Sequence, residues 1–403
     1  MSGETVFDPL DLAHHRDAVA RLSRARESCP VSRPHPHMYV VAAMADVERV
    51  LVDHTTFSAR SNFRLDPVNG AKFVKTATSI TSLDPPEHTE VRRRLRHWFA
   101  PRALRLLEPR VAELAAAQVA ALPAGSVVDL LPPVKTLAGQ VVYHLIGAPE
   151  ADWPRLQAWT DAFHHRLPAP FDDMPEYLDM VRYLENLLDG YMSGRTAPDH
   201  SVIAGLAADA AAGELPVSEA VTHVRQLIQA GTETTSTLIV NLLYELLREP
   251  GRWQRLLREP ELVDRAIEES LRHDPPIQYV MRTPHEPTTV GGCPIELDEQ
   301  IVVSLQSANR DEGFWGPDAG VFDLDRERTG AHLAFGRGSH ACLGAPIARI
   351  EARSLVRELL RSRPGITLDP SYVYEQADEL MVRRPTRLLV QMPRETPTSE
   401  ESR

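Results

Sequence analysis

Between Ser218 and Arg248 the chain carries apolar residues at helical spacing without a single proline. At ~1.5 Å per residue such a helix runs about 45 Å, the width of a whole domain, so the fold has to be assembled around it. Ser218 can cap its start and Pro250 closes its end. Val221, Val224 and Ile228 make one half apolar, and Leu238, Leu242 and Leu246 the other. Between them lies Ala230-Gly231-Thr232-Glu233-Thr234-Thr235, where glycine and successive threonines each cost roughly 0.5–1 kcal/mol against alanine in a helix. Such a weak polar turn inside a buried helix reads as a kink at a site. It can also be read as an N-cap joining two shorter helices.

Helical spacing recurs over Ala42–Asp53, Glu87–Phe99, Pro101–Ala121, Pro154–His165 and Met174–Gly194, then over Gly251–Arg258, Pro260–His273 and Leu343–Arg363. Short β-rich runs sit at Met38–Val41, Thr288–Val290, Gln300–Ser304 and Leu388–Gln391. No strand–helix alternation suggests a doubly wound sheet. The expected fold class is mainly α with small β-sheets, in one domain over residues 1–392. The polar tail of residues 393–403 is expected to be disordered.

Charge excludes some functions. The formal net charge is -12, against the basic face that nucleic-acid binding needs. Lysine occurs only at Lys72, Lys75 and Lys135, a bias read as compositional. Met1–Leu12 carries Glu4, Asp8 and Asp11 where a signal peptide needs basic and then apolar residues. The most apolar helical stretch, Leu238–Leu247, contains Asn241 and Glu245 and is too short to span a bilayer. A soluble cytoplasmic protein, without membrane or nucleic-acid partners, is expected.

Cys29, Cys293 and Cys342 are scattered, with no CxxC pair. Only Cys342 sits in a segment with chemical character, Phe335-Gly336-Arg337-Gly338-Ser339-His340-Ala341-Cys342-Leu343-Gly344. The glycines allow tight turns, and an amphipathic helix with Pro346 in its first turn follows the cysteine. The free N–H groups of a helix start favour thiolate over thiol. A lone cysteine can equally be inert and buried, the reading kept for Cys29 and Cys293. His340 with Cys342 is half a zinc site, but no second ligand pair exists.

This segment resembles the FGxGxHxCxG haem-binding loop of the cytochrome P-450 superfamily at every fixed position. Three further signatures follow the family order. Glu269-Ser270-Leu271-Arg272 is similar to its ExxR motif, with Arg326 as a candidate third member. Ala230–Thr235 is similar to the oxygen-activation motif of the long central helix, and His88 to Arg92 to the HxxxR of a haem-propionate helix. The resemblance covers roughly residues 80–390, and Phe7–Asp53 also resembles the start of soluble bacterial members.

The resemblance implies the cytochrome P-450 fold, with haem b between the long central helix and the Cys-loop helix. It makes Cys342 the iron ligand, with Phe335 packed beside the sulfur and Gly344 among the cofactor-binding residues. It pairs His88, Arg92, Arg282 and His340 with the two propionates. It gives Glu233 and Thr234 the delivery of protons for O2 cleavage, and Glu269 with Arg272 a structural role. The implied activity is monooxygenation of a small to medium apolar organic substrate with electrons from an external ferredoxin and its reductase. A peroxide-driven peroxygenase and a non-catalytic haem sensor are the competing readings. Arg92, Arg93, Arg94, Arg96, Arg102 and Arg105, with Arg337, Arg349 and Arg353, form an expected basic face for the ferredoxin. The expected pocket wall combines Arg60–Leu83, parts of Phe163–Met180, Ile228, Gln229, Ile277–Met281 and Leu380–Val382, with Gln278 and Tyr279 as polar handles.

Overall fold

A computed structural model describes residues 7–73, 79–164 and 173–394. Its frame is helical. The elements that position the site are α1 (Met44–Val52), α2 (Glu87–Leu95), α3 (Pro101–Ala120), α4 (Leu131–Ile146), α5 (Pro175–Met192), α6 (Val217–Arg248), α7 (Val263–His273) and α8 (Ala345–Ser362).

The central segment is one unbroken helix of 32 residues, which overturns the reading as two shorter helices. Its weak turn holds because the threonines bond back along the helix. The Thr232 hydroxyl donates to the Ile228 carbonyl at 3.0 Å, and that of Thr234 to Ala230 at 2.6 Å. Gly231 earns its place by contact: a Cβ there would stand 2.5 Å from Val142 Cγ2 on α4. Glycine therefore lets α4 lie close against the middle of α6. Around this pair, α3, α5, α7 and α8 bury Val141, Leu184, Ile239, Leu271 and Val356 in one core.

Strands β1 (Val31–His35), β2 (Met38–Val41), β3 (Phe57–Ser58), β5 (Tyr279–Pro284) and β8 (Gln300–Ser304) form a five-stranded sheet in the order β1-β2-β8-β5-β3. β2 and β8 run parallel, with Val40 opposite Val302, and β5 pairs antiparallel with Arg282 opposite Ile301. A three-stranded sheet joins β4 (Val127–Asp129), β10 (Leu389–Gln391) and β9 (Thr367–Leu368), and β6 (Thr288–Val290) pairs with β7 (Cys293–Ile295). The mainly helical class with small sheets is therefore as expected. The periodicity missed α4 and Val202–Ala211, whose faces are apolar nearly all round and leave no helical stripe to read. Residues 395–403 of the tail lie outside the described residues.

The frame is locked by Glu269 of α7. Its carboxylate accepts two bonds of 2.7 Å from Arg272 and one of 3.1 Å from Arg326 Nε, and Glu269 and Arg272 are fully buried. Arg272 then donates to the carbonyls of Asn309, Ala319 and Val321. Removing one partner from such a network leaves buried charge without compensation. Glu269→Ala should therefore lose about 3–5 kcal/mol in chemical denaturation, whereas Glu358→Ala, in a surface pair with Arg361, should leave the midpoint unchanged. Equal effects would contradict the lock.

Candidate active site

The loop before α8 is shaped by two left-handed glycines, Gly336 at φ 65° and Gly338 at φ 74°. Gly338 also abuts α1, since a Cβ there would meet the Leu51 carbonyl oxygen at 2.9 Å. The loop closes on itself where the Cys342 N–H donates to the Phe335 carbonyl at 2.8 Å. Arg349 of α8 lies 4.6 Å above the Phe335 ring and donates to Glu268 at 2.6 and 2.8 Å. Burial draws the Glu268 pKa upward, but Arg349 and His332 outweigh it and hold the carboxyl down at about 2. The Phe335 ring is thus fixed from above.

Cys342 is both deep and open. Burial pushes its thiol pKa up, yet its surface is exposed, a combination that belongs to a side chain lining an internal space. The N–H groups of Gly344 and Ala345 and the charges of Arg92 and Arg349 pull the other way. The helix start favours thiolate as expected, but burial wins in the protein alone. A thiolate here calls for a bound cation.

Beside it the structure brings together His88, Arg92, Arg282 and His340. The rings of His88 and His340 lie 4.1 Å apart. Burial lowers Arg282 to about 10. Burial and the charges of Arg282, His88 and Arg92 press His340 down to about 3. Asp84 is near, but its carboxylate already accepts from the Ser58 hydroxyl and the Ala59 N–H. His340 Nε2 is buried with no hydrogen-bond partner. Two arginines and two histidines that burial keeps from taking up a proton share a space where the described residues offer no free anion, so the cluster fits a ligand that brings carboxylates.

On α6, Ala230 is exposed, and Leu227, Gly231 and Thr234 are partly open, within a helix that is otherwise buried around them. These positions share one face at helical spacing and open on an internal space. Glu233 lies about 100° further round and is buried at 6% exposure. Arg384 Nε donates to its Oε1 at 2.7 Å, and Lys135 Nζ of α4 stands 3.0 Å from Oε2. The acid thus does not share the open face with Thr234. Sequence reasoning missed both cations, although a lone lysine in the apolar Leu131–Ile146 run was a usable signal.

The expected pocket wall needs correction. Ile228 is fully buried in the core, and Gln226 instead is partly open, accepting from the Ser79 hydroxyl at 2.8 Å. Gln278 donates to the Pro275 carbonyl and Tyr279 to that of Pro9, so neither is a free polar handle. Residues 74–78 and 165–172 of the expected wall lie outside the described residues. The expected basic face is also thinner than the sequence implied. Arg93 pairs with Glu90, Arg94 with Glu90 and Asp209, Arg337 with Glu48, Arg349 with Glu268, and Arg353 with Asp264.

A deep thiol beside cations that have no acid of their own calls for a cofactor supplying a metal for sulfur and anionic groups for the cations. Haem-thiolate proteins are the class that meets both needs. The Cytochrome P450 family profile matches residues 193–362. Vitamin D(3) 25-hydroxylase of Pseudonocardia autotrophica is 33% identical over 89% of this chain and 88% of its own length. Mycinamicin IV hydroxylase/epoxidase of Micromonospora griseorubida is 32% identical over 96% and 99%. The crystal structure of CYP109E1 from Bacillus megaterium in complex with testosterone superposes with a TM-score of 0.81 at 28% identity, covering 93% of this chain and 98% of that one. The chain belongs to the cytochrome P450 family and is a monooxygenase of the haem-thiolate type. Among the described residues no helix is long and apolar enough to cross a membrane.

Proposed function

We propose that this protein inserts one oxygen atom of O2 into a small to medium apolar organic molecule in the cytoplasm. The other atom leaves as water, with two protons from solvent and two electrons from an external ferredoxin and its reductase. The observation that carries the reading is the open, deep thiol of Cys342 beside the anion-lacking cluster. Haem b, when bound, supplies the centre at which dioxygen is reduced and split. Cys342 is its ligand as thiolate, the N–H groups of Gly344 and Ala345 tune the sulfur, and Phe335 covers it. His88, Arg92, Arg282 and His340 take the two propionates.

Thr234 stands on the open face of α6. Its hydroxyl donates to Ala230, which leaves the oxygen lone pairs to hold a water for proton delivery, and Glu233 relays the proton to it. An acid and a hydroxyl on one turn weigh against a peroxide-driven enzyme and against a sensor, since neither needs delivered protons. Similar proteins are named for vitamin D(3) or mycinamicin IV, or hold testosterone, which supports a medium-sized organic substrate. Arg96, Arg102 and Arg105 are exposed and have no carboxylate partner among the described residues, and Leu106, on the same helix as Arg102 and Arg105, is 77% exposed. We assign the ferredoxin contact to this remaining patch.

Thr234→Ala should bind haem and substrate normally while product formation slows by on the order of 10²-fold and electrons appear as hydrogen peroxide. Product yield per electron equal to the wild type would exclude the role. Ferredoxin-driven reduction should fall with rising salt and weaken in R102E and R105E. The patch is wrong if neither salt nor charge reversal changes the rate.

A further inference from the structure

Cys29 and Cys293, read in the sequence as inert and buried, are brought together by the fold, and neither is buried. Cys29 is exposed in a run with Glu27 and Ser28, Cys293 is half-buried, and both are free thiols. Cys29 is the first residue beyond the helix Ala18–Ser28, where its N–H donates to the Ala25 carbonyl at 2.8 Å. Cys293 opens β7, opposite Val290 in the β6–β7 hairpin. A carbonyl oxygen has two acceptor positions, and that of Val31 meets both sulfurs, Cys29 Sγ at 3.2 Å and Cys293 Sγ at 3.8 Å. The two sulfurs are therefore no further apart than these distances together, although Val31 and Cys293 are 262 residues apart in the chain. The hairpin is pressed onto this spot. Gly291 in its turn sits at φ 53°, and a Cβ there would stand 2.7 Å from Val31 Cγ2 and 3.0 Å from Asp46 Oδ2 of α1. Arg49 of α1 also donates to the Thr289 carbonyl at 2.8 Å. α1 in turn abuts the cysteine loop at Gly338 and pairs Glu48 with Arg337.

We propose that Cys29 and Cys293 are a redox-modification site: a small-molecule disulfide converts the pair into a protein disulfide that ties the end of the Ala18–Ser28 helix to the β6–β7 hairpin. Cys29, the exposed member, attacks one sulfur of the small disulfide as thiolate. A mixed disulfide forms and one small thiol leaves. The Cys293 thiolate then attacks the Cys29 sulfur, which forms the Cys29–Cys293 bond and releases the second small thiol. The protein is oxidised by two hydrogens, which end on the two released thiols. Such exchange needs an accessible attacking thiol with a second thiol beside it to resolve the mixed disulfide, and the Val31 carbonyl holds one of each. A disulfide accepts a narrow range of geometry, and the adjoining Gly291 and Gly292 are the residues that best absorb a backbone adjustment. The cytoplasm keeps thiols reduced, so the bond forms under oxidising conditions and is undone by reductant. It closes a loop of most of the chain, which restrains the unfolded state. Through the hairpin it also braces α1, the element that abuts the cysteine loop.

The test treats the pre-reduced, haem-loaded enzyme with oxidised glutathione and compares the wild type with C29S and C293S. Intact mass and peptide mapping after thiol alkylation read the products, and thermal unfolding reads the restraint. The wild type should lose two hydrogens and carry no glutathione, with Cys29 and Cys293 joined and closed to alkylation. C293S should accumulate glutathione on Cys29, because no thiol is left to displace it. C29S should react more slowly, because Cys293 is half-buried. The unfolding midpoint should rise by several degrees in the oxidised wild type, stay unchanged in both treated variants, and fall back on adding dithiothreitol. A wild type that keeps both thiols open to alkylation, or that retains glutathione on Cys29 as C293S does, overturns the site. A Cys29–Cys293 bond that leaves the midpoint unchanged overturns the restraint.

Discussion

The carboxylate of Glu269 is the contact on which the rest of the site depends. Through it Arg272 and Arg326 are held at the base of α7. Arg272 spends its remaining donors on the carbonyls of Asn309, Ala319 and Val321, in the irregular stretch that leads to the cysteine loop. Asn309 passes the restraint on, accepting from the Leu333 N–H at 2.7 Å just before the loop begins. The adjacent Glu268 grips the other side, through His332 and through Arg349 above Phe335. Two neighbouring acids on one helix thus fix the loop at both ends, and only then can two left-handed glycines aim a single sulfur at the internal space.

The site works by leaving charge uncompensated. A protein interior ordinarily pairs its cations, and this chain does so where Arg272 meets Glu269 and Arg384 meets Glu233. Around Arg92 and Arg282 it does not: neither guanidinium has an ion pair among the described residues, and burial depresses both, as it does the neighbouring His88 and His340. That arrangement is unfavourable until carboxylates arrive from elsewhere. The thiol of Cys342 is in the complementary position, raised by burial until a metal takes the proton's place. Each half of the site is incomplete in a way the other half of one cofactor repairs.

Much of this was legible in the sequence. The long helix, the cysteine loop, the Glu269–Arg272 pair with Arg326, and even Arg282 were found from spacing and resemblance, and the structure brings them together. What escaped were features without local pattern. α4 is apolar on nearly every side, so no stripe betrays it. Gln278 and Tyr279 look like free polar groups in sequence, yet their partners are backbone carbonyls, that for Tyr279 being 270 residues away at Pro9. The arginine-rich segments looked like a continuous basic face because their acids, such as Asp209 and Asp264, come from other helices. The cations on Glu233 were hidden for the same reason, one on α4 and one near the C-terminal strand.

The central claim is that Cys342, as thiolate, holds the haem. It is tested most directly by the absorption spectrum of the reduced carbon monoxide adduct in single-cysteine variants. Cys29 and Cys293 both have sulfurs directed at the Val31 carbonyl, within the β1 region, so replacing either with alanine should leave the thiolate-type band intact. Cys342→Ala should abolish that band. A Cys342→Ala protein that retains the thiolate-type band, with loss of it on replacing Cys29 or Cys293, would contradict the account.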